Sequence, residues 1–426
     1  MRSSAAFLTC MVAAATAAPA LESGLPTEIV ANGKSFRLQQ TRNERFKARD
    51  AVHEFYMAHS KYGKAIPAAL KATIQQRPSL NNKFSIYGDG TVSKGSVTAS
   101  PVQPAYDSEY IIPVQVGTPP QTLPMNLDTG SADFWVFSTT TYAMEIQHQK
   151  LYSPNASLTS QVMPGESWKV LYGDGSGASG IVYKDKVSVA GLEVATQAVQ
   201  VAVDVSPDIS KDSASSGILG MASGRANTVR PHIQLTFLDN IMEKLQQPVF
   251  TANLQKGAPG SYDFGYIDHK AYTGKIKYSQ ISLGSPFWQV YLTGYAVGDL
   301  QTYNSTRFPA IVDTGTSLLM LPEDIVKSYY GKVPDSYLDP KIEMMMIPCN
   351  ATLPDLTFGI DEYRGRIPGH FMNYAQNEDG HCYGGLQSSE GLPFGVIGDI
   401  LIKSQYVVFN RGDLTVGFAN KKTPLA

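Results

Sequence analysis

Met125-Asn126-Leu127-Asp128-Thr129-Gly130-Ser131 and Ala310-Ile311-Val312-Asp313-Thr314-Gly315-Thr316 repeat one pattern, 185 residues apart. Each Asp-Thr-Gly stands behind a short apolar run and ahead of another, Phe134-Trp135-Val136-Phe137 in the first case and Leu318 to Leu321 in the second. Apolar runs of this length, bounded by glycine and polar residues, read as buried strands, so each aspartate is expected at a strand end on a tight turn. One Asp-Thr-Gly alone is an ordinary turn. Two in matching settings supply a pair of carboxylates brought to one place by two related halves. The threonine hydroxyls can hydrogen-bond, and Gly130 and Gly315 let two backbones approach closely, as loops meeting face to face require. Carboxylates held that near cannot both ionise, so they share a proton. One is then a base and the other an acid, which suffices to activate a water lodged between them and to protonate a carbonyl oxygen without metal, cofactor or covalent intermediate.

Further segments extend the repeat. Gly217-Ile218-Leu219-Gly220 and Val396-Ile397-Gly398-Asp399 each follow their aspartate at a comparable distance, and Tyr172-Gly173-Asp174-Gly175-Ser176 lies between the first aspartate and its glycine segment. In these motifs the chain resembles the pepsin family of aspartic endopeptidases, from about Tyr106 to the C-terminus. It is similar in particular to the secreted fungal penicillopepsin and aspergillopepsin type, through Ser-Ala-Asp-Phe-Trp-Val-Phe (131 to 137), Tyr-Asp-Phe-Gly-Tyr-Ile-Asp (262 to 268) and Lys-Ser-Gln-Tyr-Val-Val-Phe-Asn (403 to 410). Aspartic proteases are the reference case for the shared proton described above.

The resemblance implies an all-β, bilobal pepsin-like fold, with two related β lobes and a substrate cleft between them. It makes Asp128 and Asp313 the catalytic pair, oriented by Ser131 and Thr316, with Thr129 and Thr314 bonding across the lobe boundary. Tyr172, Gly173, Asp174 and Ser176 would form the tip of a hairpin flap, and Trp135 would brace Tyr172. Ile218, Phe287 and Trp288 are candidate pocket walls. Where many members of the family have a neutral threonine at the flap tip, this chain has Asp174; in the fungal type such a carboxylate goes with acceptance of lysine on the acyl side of the cut, because an ammonium can meet it.

The composition agrees with a β-rich body. Of 426 residues, 43% are hydrophobic and 17% charged, and Gly 37, Pro 26 and Tyr 23 favour strands and turns around more than one core. Helical periodicity is confined to a few places. One is 231–245, where Ile233, Phe237, Ile241 and Leu245 recur every fourth residue; another starts at Pro322, with Glu323 and Asp324 in its first turn.

Residues 1–17 have the layout of a secretory signal peptide, with Arg2, an apolar stretch too short to span a bilayer, and small residues near Ala17. Cys10 leaves with it, so Cys349 and Cys382 remain as one possible disulfide, a pairing the family resemblance supports. Asn155, Asn304 and Asn350 head sequons usable in a secretory route. A secreted, extracellular protein is expected, with a vacuolar fate the lesser alternative, since no retention tail or hydrophobic tail is seen.

Charge is unevenly placed. Residues 18–105 hold 12 Lys and Arg against 6 Asp and Glu, whereas 106–426 hold 22 against 31. A basic leader on an acidic body suggests a prosegment held partly by electrostatics and loosened in acid. Pepsin-like zymogens use a prosegment lysine against the aspartates, and Lys61-Tyr62 resembles that pair, with Lys64 as the alternative. The expected organisation is a signal peptide at 1–17, a prosegment at 18–95 ending between 91 and 101, an N-terminal lobe at 96–272 and a C-terminal lobe at 273–426.

The expected partners are protein and peptide substrates, with hydrophobic residues favoured around the cut, and pepstatin-type inhibitors. No cofactor, metal, membrane or nucleic acid is expected, and the protein is expected to be a monomer. The competing reading is a catalytically silent pepsin-like binding protein, but such relatives lose an aspartate, its glycine or the flap tyrosine, and all are present here.

Overall fold

The structure is a computed structural model and describes residues 29–32, 35–38, 51–62, 95–97, 100–101, 107, 109–171, 177–377 and 379–422. The signal peptide, Lys64, and Tyr172, Gly173, Asp174 and Ser176 of the flap tip lie outside the described residues.

In the strand Gln121–Asp128, Leu123, Met125 and Leu127 are fully buried, and the aspartate is its last residue. The strand pairs antiparallel with Tyr110–Val116 and parallel with Gly217–Gly220, placing Gly220 opposite Asp128. Phe134–Val136 then returns antiparallel on the far side of Gly217–Gly220. The second half does the same: Phe308–Val312 runs parallel to Gly395–Ile397, and Leu319–Leu321 pairs antiparallel with that strand. The duplicated sequence pattern is therefore a duplicated crossing of strands. Glycine is required at the crossing, since a Cβ on Gly398 would strike the carbonyl oxygens of Thr316 and Leu318.

Around the first crossing, nine strands form one sheet among the described residues, including the long antiparallel pair Gln161–Leu171 and Gly177–Val189. The second lobe is built on sheets of five, three and four strands among the described residues. An eight-stranded sheet joins the halves, with Val249–Gln255 beside Gln405–Asn410. At that seam Phe250 lies opposite Phe409, their rings stacked 4.4 Å apart, and Trp288 packs edge-on against both. The architecture is the all-β bilobal one expected.

The helix expected after Pro322 spans Glu323–Tyr330 and buries Ile325, Val326, Tyr329 and Tyr330 on one face. The expected helix at 231–245 does not form. The amides of His232 and Gln234 are bonded by the side chains of Glu166 and Asn227, which leaves Ile233 and Leu235 exposed. Thr236 and Asp239 cap one another reciprocally and start a single turn, which continues only as the 3-10 segment Met242–Lys244. Phe237 and Ile241 are buried as the spacing suggested, because one turn suffices to align them.

Cys349 and Cys382 form a disulfide across the four-stranded sheet. Asn155, Asn304 and Asn350 are all exposed. No helix among the described residues is long and apolar enough to cross a membrane. Ahead of the lobes, the helix Ala51–Lys61 is sunk into the molecule, with Val52, Phe55, Tyr56, Ala58 and His59 all buried.

Candidate active site

The two Asp-Thr-Gly turns meet at the seam between the lobes. Thr129 N–H donates to Thr314 Oγ1 at 3.1 Å and Thr314 N–H donates to Thr129 Oγ1 at 2.9 Å. Each hydroxyl then donates onward to the opposite strand, Thr129 to the Val312 carbonyl at 2.7 Å and Thr314 to the Leu127 carbonyl at 2.6 Å. Four bonds in a symmetric ring thus set the spacing of the loops. The approach is so close that a Cβ on Gly130 would land on the Asp313 carboxyl and one on Gly315 on the Asp128 carboxyl. The amides of Gly130 and Gly315 donate to their own aspartates at 3.0 and 2.9 Å. The Ser131 hydroxyl donates to Asp128 Oδ2, and the Thr316 hydroxyl to Asp313 Oδ2 at 2.5 Å. Both carboxyls are buried and face one another, an arrangement that can hold a water and move a proton.

The family description "Eukaryotic aspartyl protease" matches residues 109–421, the span that carries both turns and both lobes. The chain belongs to the eukaryotic aspartyl protease family. It is 43% identical to endothiapepsin of Cryphonectria parasitica over 390 residues, covering 91% of this chain and 90% of that protein. It is 40% identical to podosporapepsin of Podospora anserina over 92% of each chain. To penicillopepsin-3 of Penicillium janthinellum it is 39% identical over 94% of this chain and 96% of the relative. The protein is accordingly an aspartic endopeptidase of the pepsin-like fungal kind.

In this aspartyl protease the space over the two aspartates is filled by the chain itself. Lys61 Nζ donates to Asp128 Oδ1 at 2.6 Å and to both oxygens of Asp313 at 2.9 and 3.0 Å. The Tyr62 hydroxyl donates to Asp313 Oδ2 at 2.5 Å. Burial alone would pull the Lys61 ammonium down, but the two carboxylates outweigh it and hold its pKa above the ordinary lysine value. Burial raises Asp128 to about 6, with the Asp313 charge adding to the rise and Lys61 opposing it. Burial acts on Asp313 in the same sense, yet Lys61 and the bonds from Asp128, Thr316 and Tyr62 prevail and hold it at about 2. Equivalent loops thus carry unlike carboxyls, one inclined to keep a proton and one to lose it.

The Tyr62 ring lies edge-on between Phe287 and Phe394, at 5.5 and 5.2 Å. Phe287 is therefore a wall of the space beside the aspartates, whereas its neighbour Trp288 is not. Trp288, just ahead of the strand Gln289–Leu292, turns inward, where it is buried and donates its ring N–H to the Met221 carbonyl at 2.6 Å. Ile218 is buried in the first lobe in one cluster with Trp135 and Trp168. Trp135 stacks on Trp168, and its Nε1 has no hydrogen-bond partner among the described residues, Tyr172 being outside them.

Sequence reasoning did not find Phe394, nor Glu54 and His59 on the helix leading to Lys61. The Ser317 hydroxyl donates to Glu54 at 2.9 Å, and the His59 ring meets the carbonyls of Phe55 and Glu390 at 3.0 and 3.2 Å. Burial lowers the His59 pKa, against the pull of those two carbonyls. The available signal was their spacing ahead of Lys61, about two helical turns for Glu54 and half a turn for His59. A second unpredicted group surrounds Asp399, whose carboxyl burial pushes well above the ordinary range despite Lys403 nearby. Among the described residues no cluster of three or more His, Cys, Asp or Glu could hold a metal ion.

Proposed function

We propose that this endopeptidase is made as a secreted, monomeric precursor, kept inactive by its own basic prosegment and converted in acid. Asp128 and Asp313 are the catalytic pair: they share a proton, hold the attacking water and protonate the carbonyl of the bond being cut. Tyr172 closes over the substrate, shielding the pair from bulk water and strengthening its electrostatics. Residues 18–95 form the prosegment, and the reading rests chiefly on the Lys61 ammonium spanning both aspartates where the water and the scissile carbonyl would otherwise lie. The aromatic space filled by Tyr62 supports a preference for large hydrophobic side chains beside the cut. Asp174 supports acceptance of lysine on the acyl side, because a flap carboxylate can meet its ammonium. Exposure of Asn155, Asn304 and Asn350 is compatible with their use as glycan sites in an oxidising secretory route, as is the Cys349–Cys382 bond.

The test is acid incubation of the purified full-length chain with and without pepstatin, following mass and haemoglobin digestion. A shortened, active, pepstatin-sensitive species is expected, and Asp128→Asn is expected to stay full length and inactive. An active species indifferent to pepstatin, or self-conversion of Asp128→Asn at the normal rate, overturns the reading. Replacement of Asp174 by Thr is expected to lower the rate on lysine substrates relative to leucine substrates; an unchanged ratio removes that part.

A further inference from the structure

A cavity of about 910 Å³ opens beside the helix Ala51–Lys61, away from the aspartates themselves. One wall is Phe55 and His59 of that helix; the rest belongs to the second lobe. Its floor is apolar, with Val326 and Tyr330 buried and Met345 half-buried. Its rim is acidic, with Glu323, Glu343 and Glu390. The second lobe contributes one cation to the lining, Lys327, and that ammonium is already bonded to Glu323 at 2.8 Å. Glu390 acts on Glu343 through its charge and also on Lys327, but no ammonium or guanidinium is bonded to either Glu343 or Glu390 among the described residues. Burial, followed by the Glu390 charge, raises the Glu343 pKa above the ordinary glutamate value.

The chain's own helix shows how a peptide reaches this groove. The His59 ring enters it to meet the Glu390 carbonyl, and two residues later Lys61 is on the aspartates.

We infer that in the processed enzyme this groove docks a lysine or arginine of the protein substrate, its apolar stem on Val326, Tyr330 and Met345 and its charged head between Glu343 and Glu390. The inference rests on the endopeptidase reading and adds to it a specificity element remote from the flap. Long basic side chains suit such a site, since they bury an apolar stem while the charged head stays at a polar rim. The groups facing the two carboxylates are Glu323 and Lys327 from the helix Glu323–Tyr330 and, before processing, His59 from the prosegment. Acid removes the negative charge from Glu343, whose pKa is already raised, so the preference strengthens as pH rises.

Processed enzyme, counted by pepstatin titration, is given paired peptides that differ only in Lys or Gln at one position, with that position moved along both sides of the scissile bond. At one position other than the acyl-side residue of the cut, which is assigned to Asp174 and left out of the comparison, the Lys:Gln ratio of kcat/KM is expected to reach roughly two to five at about pH 5.5 and to approach one at about pH 3. In Glu343→Gln/Glu390→Gln the ratio is expected near one at both. A ratio that is flat over all positions, that does not change with pH, or that persists in the double variant overturns the groove. The ratio is expected to survive Asp174→Thr; its loss there assigns the lysine to the flap and overturns the groove equally. Failure to cut the Gln series at all is a different result, counting against the endopeptidase reading itself.

Discussion

Asp128 and Asp313 have the same side chain on matching loops, and what separates them is Lys61 and Tyr62. Both groups bond Asp313, and Lys61 alone bonds Asp128. Asp313 is held at about 2, below the ordinary carboxylate value of 3.8. A depressed acid stabilises the state that depresses it above its free value, and that stabilisation disappears as pH falls through the bound value. The hold of Lys61 and Tyr62 on Asp313 should therefore be complete above about pH 4 and fade toward about pH 2. Conversion of the precursor is expected to rise over that window when mass is followed against pH. Lys61→Met removes one partner of a buried pair, a change that costs about 3–5 kcal/mol. It should move the midpoint of conversion to higher pH, and an unmoved midpoint would mean that Lys61 does not hold the prosegment. At this scale the sequence was readable where chemistry is local. The Asp-Thr-Gly turns and the Lys-Tyr pair carry their meaning within a few residues. Trp288 and Phe394 do not, because which way a ring faces depends on a sheet assembled from distant strands.

Elements show the same division. The helix Glu323–Tyr330 was legible, since acidic residues open it and its apolar stripe is buried as a unit. The segment 231–245 had a comparable stripe but was captured by Glu166 and Asn227, side chains that periodicity cannot see. Asn227 also belongs to a loop network around Asp133, which follows the first Asp-Thr-Gly. Asp133 accepts from Asn227 Nδ2 at 2.8 Å, from Thr228 N–H at 2.7 Å and from the Thr228 hydroxyl at 2.6 Å. Burial nevertheless raises it to about 6, with the Thr228 bonds opposing the rise. A carboxyl whose folded pKa is raised contributes stability that is fully present below its unfolded value and is lost as pH rises through the folded one. The first lobe should thus lose thermal stability from about pH 4 to about pH 6. Asp133→Asn should flatten that slope in Tm measurements. An equally steep slope in the variant would assign the loss to other carboxyls.

Across the whole molecule, the two-lobed plan was the most legible property, because duplication appears in the sequence as repeated motifs in repeated order. What joins the lobes was not. The eight-stranded sheet draws strands from both halves, and beneath it Asp107 receives Lys403 at 3.1 Å and Lys256 at 3.0 Å. Asp107 and Lys403 are both buried, and burial lowers the Lys403 pKa, with Asp107 pulling the other way. No local motif announces a pair 296 residues apart. Asp107→Ala leaves Lys403 without its buried counter-charge and should cost about 3–5 kcal/mol in reversible unfolding. A change near zero would mean that Lys403 finds another route to neutrality.

The ring of four bonds made by Thr129 and Thr314 limits how a peptide can get in. A clamshell motion that parted the halves by an ångström would break all four together and separate the acid from its base. A peptide must therefore enter without parting the halves at this floor.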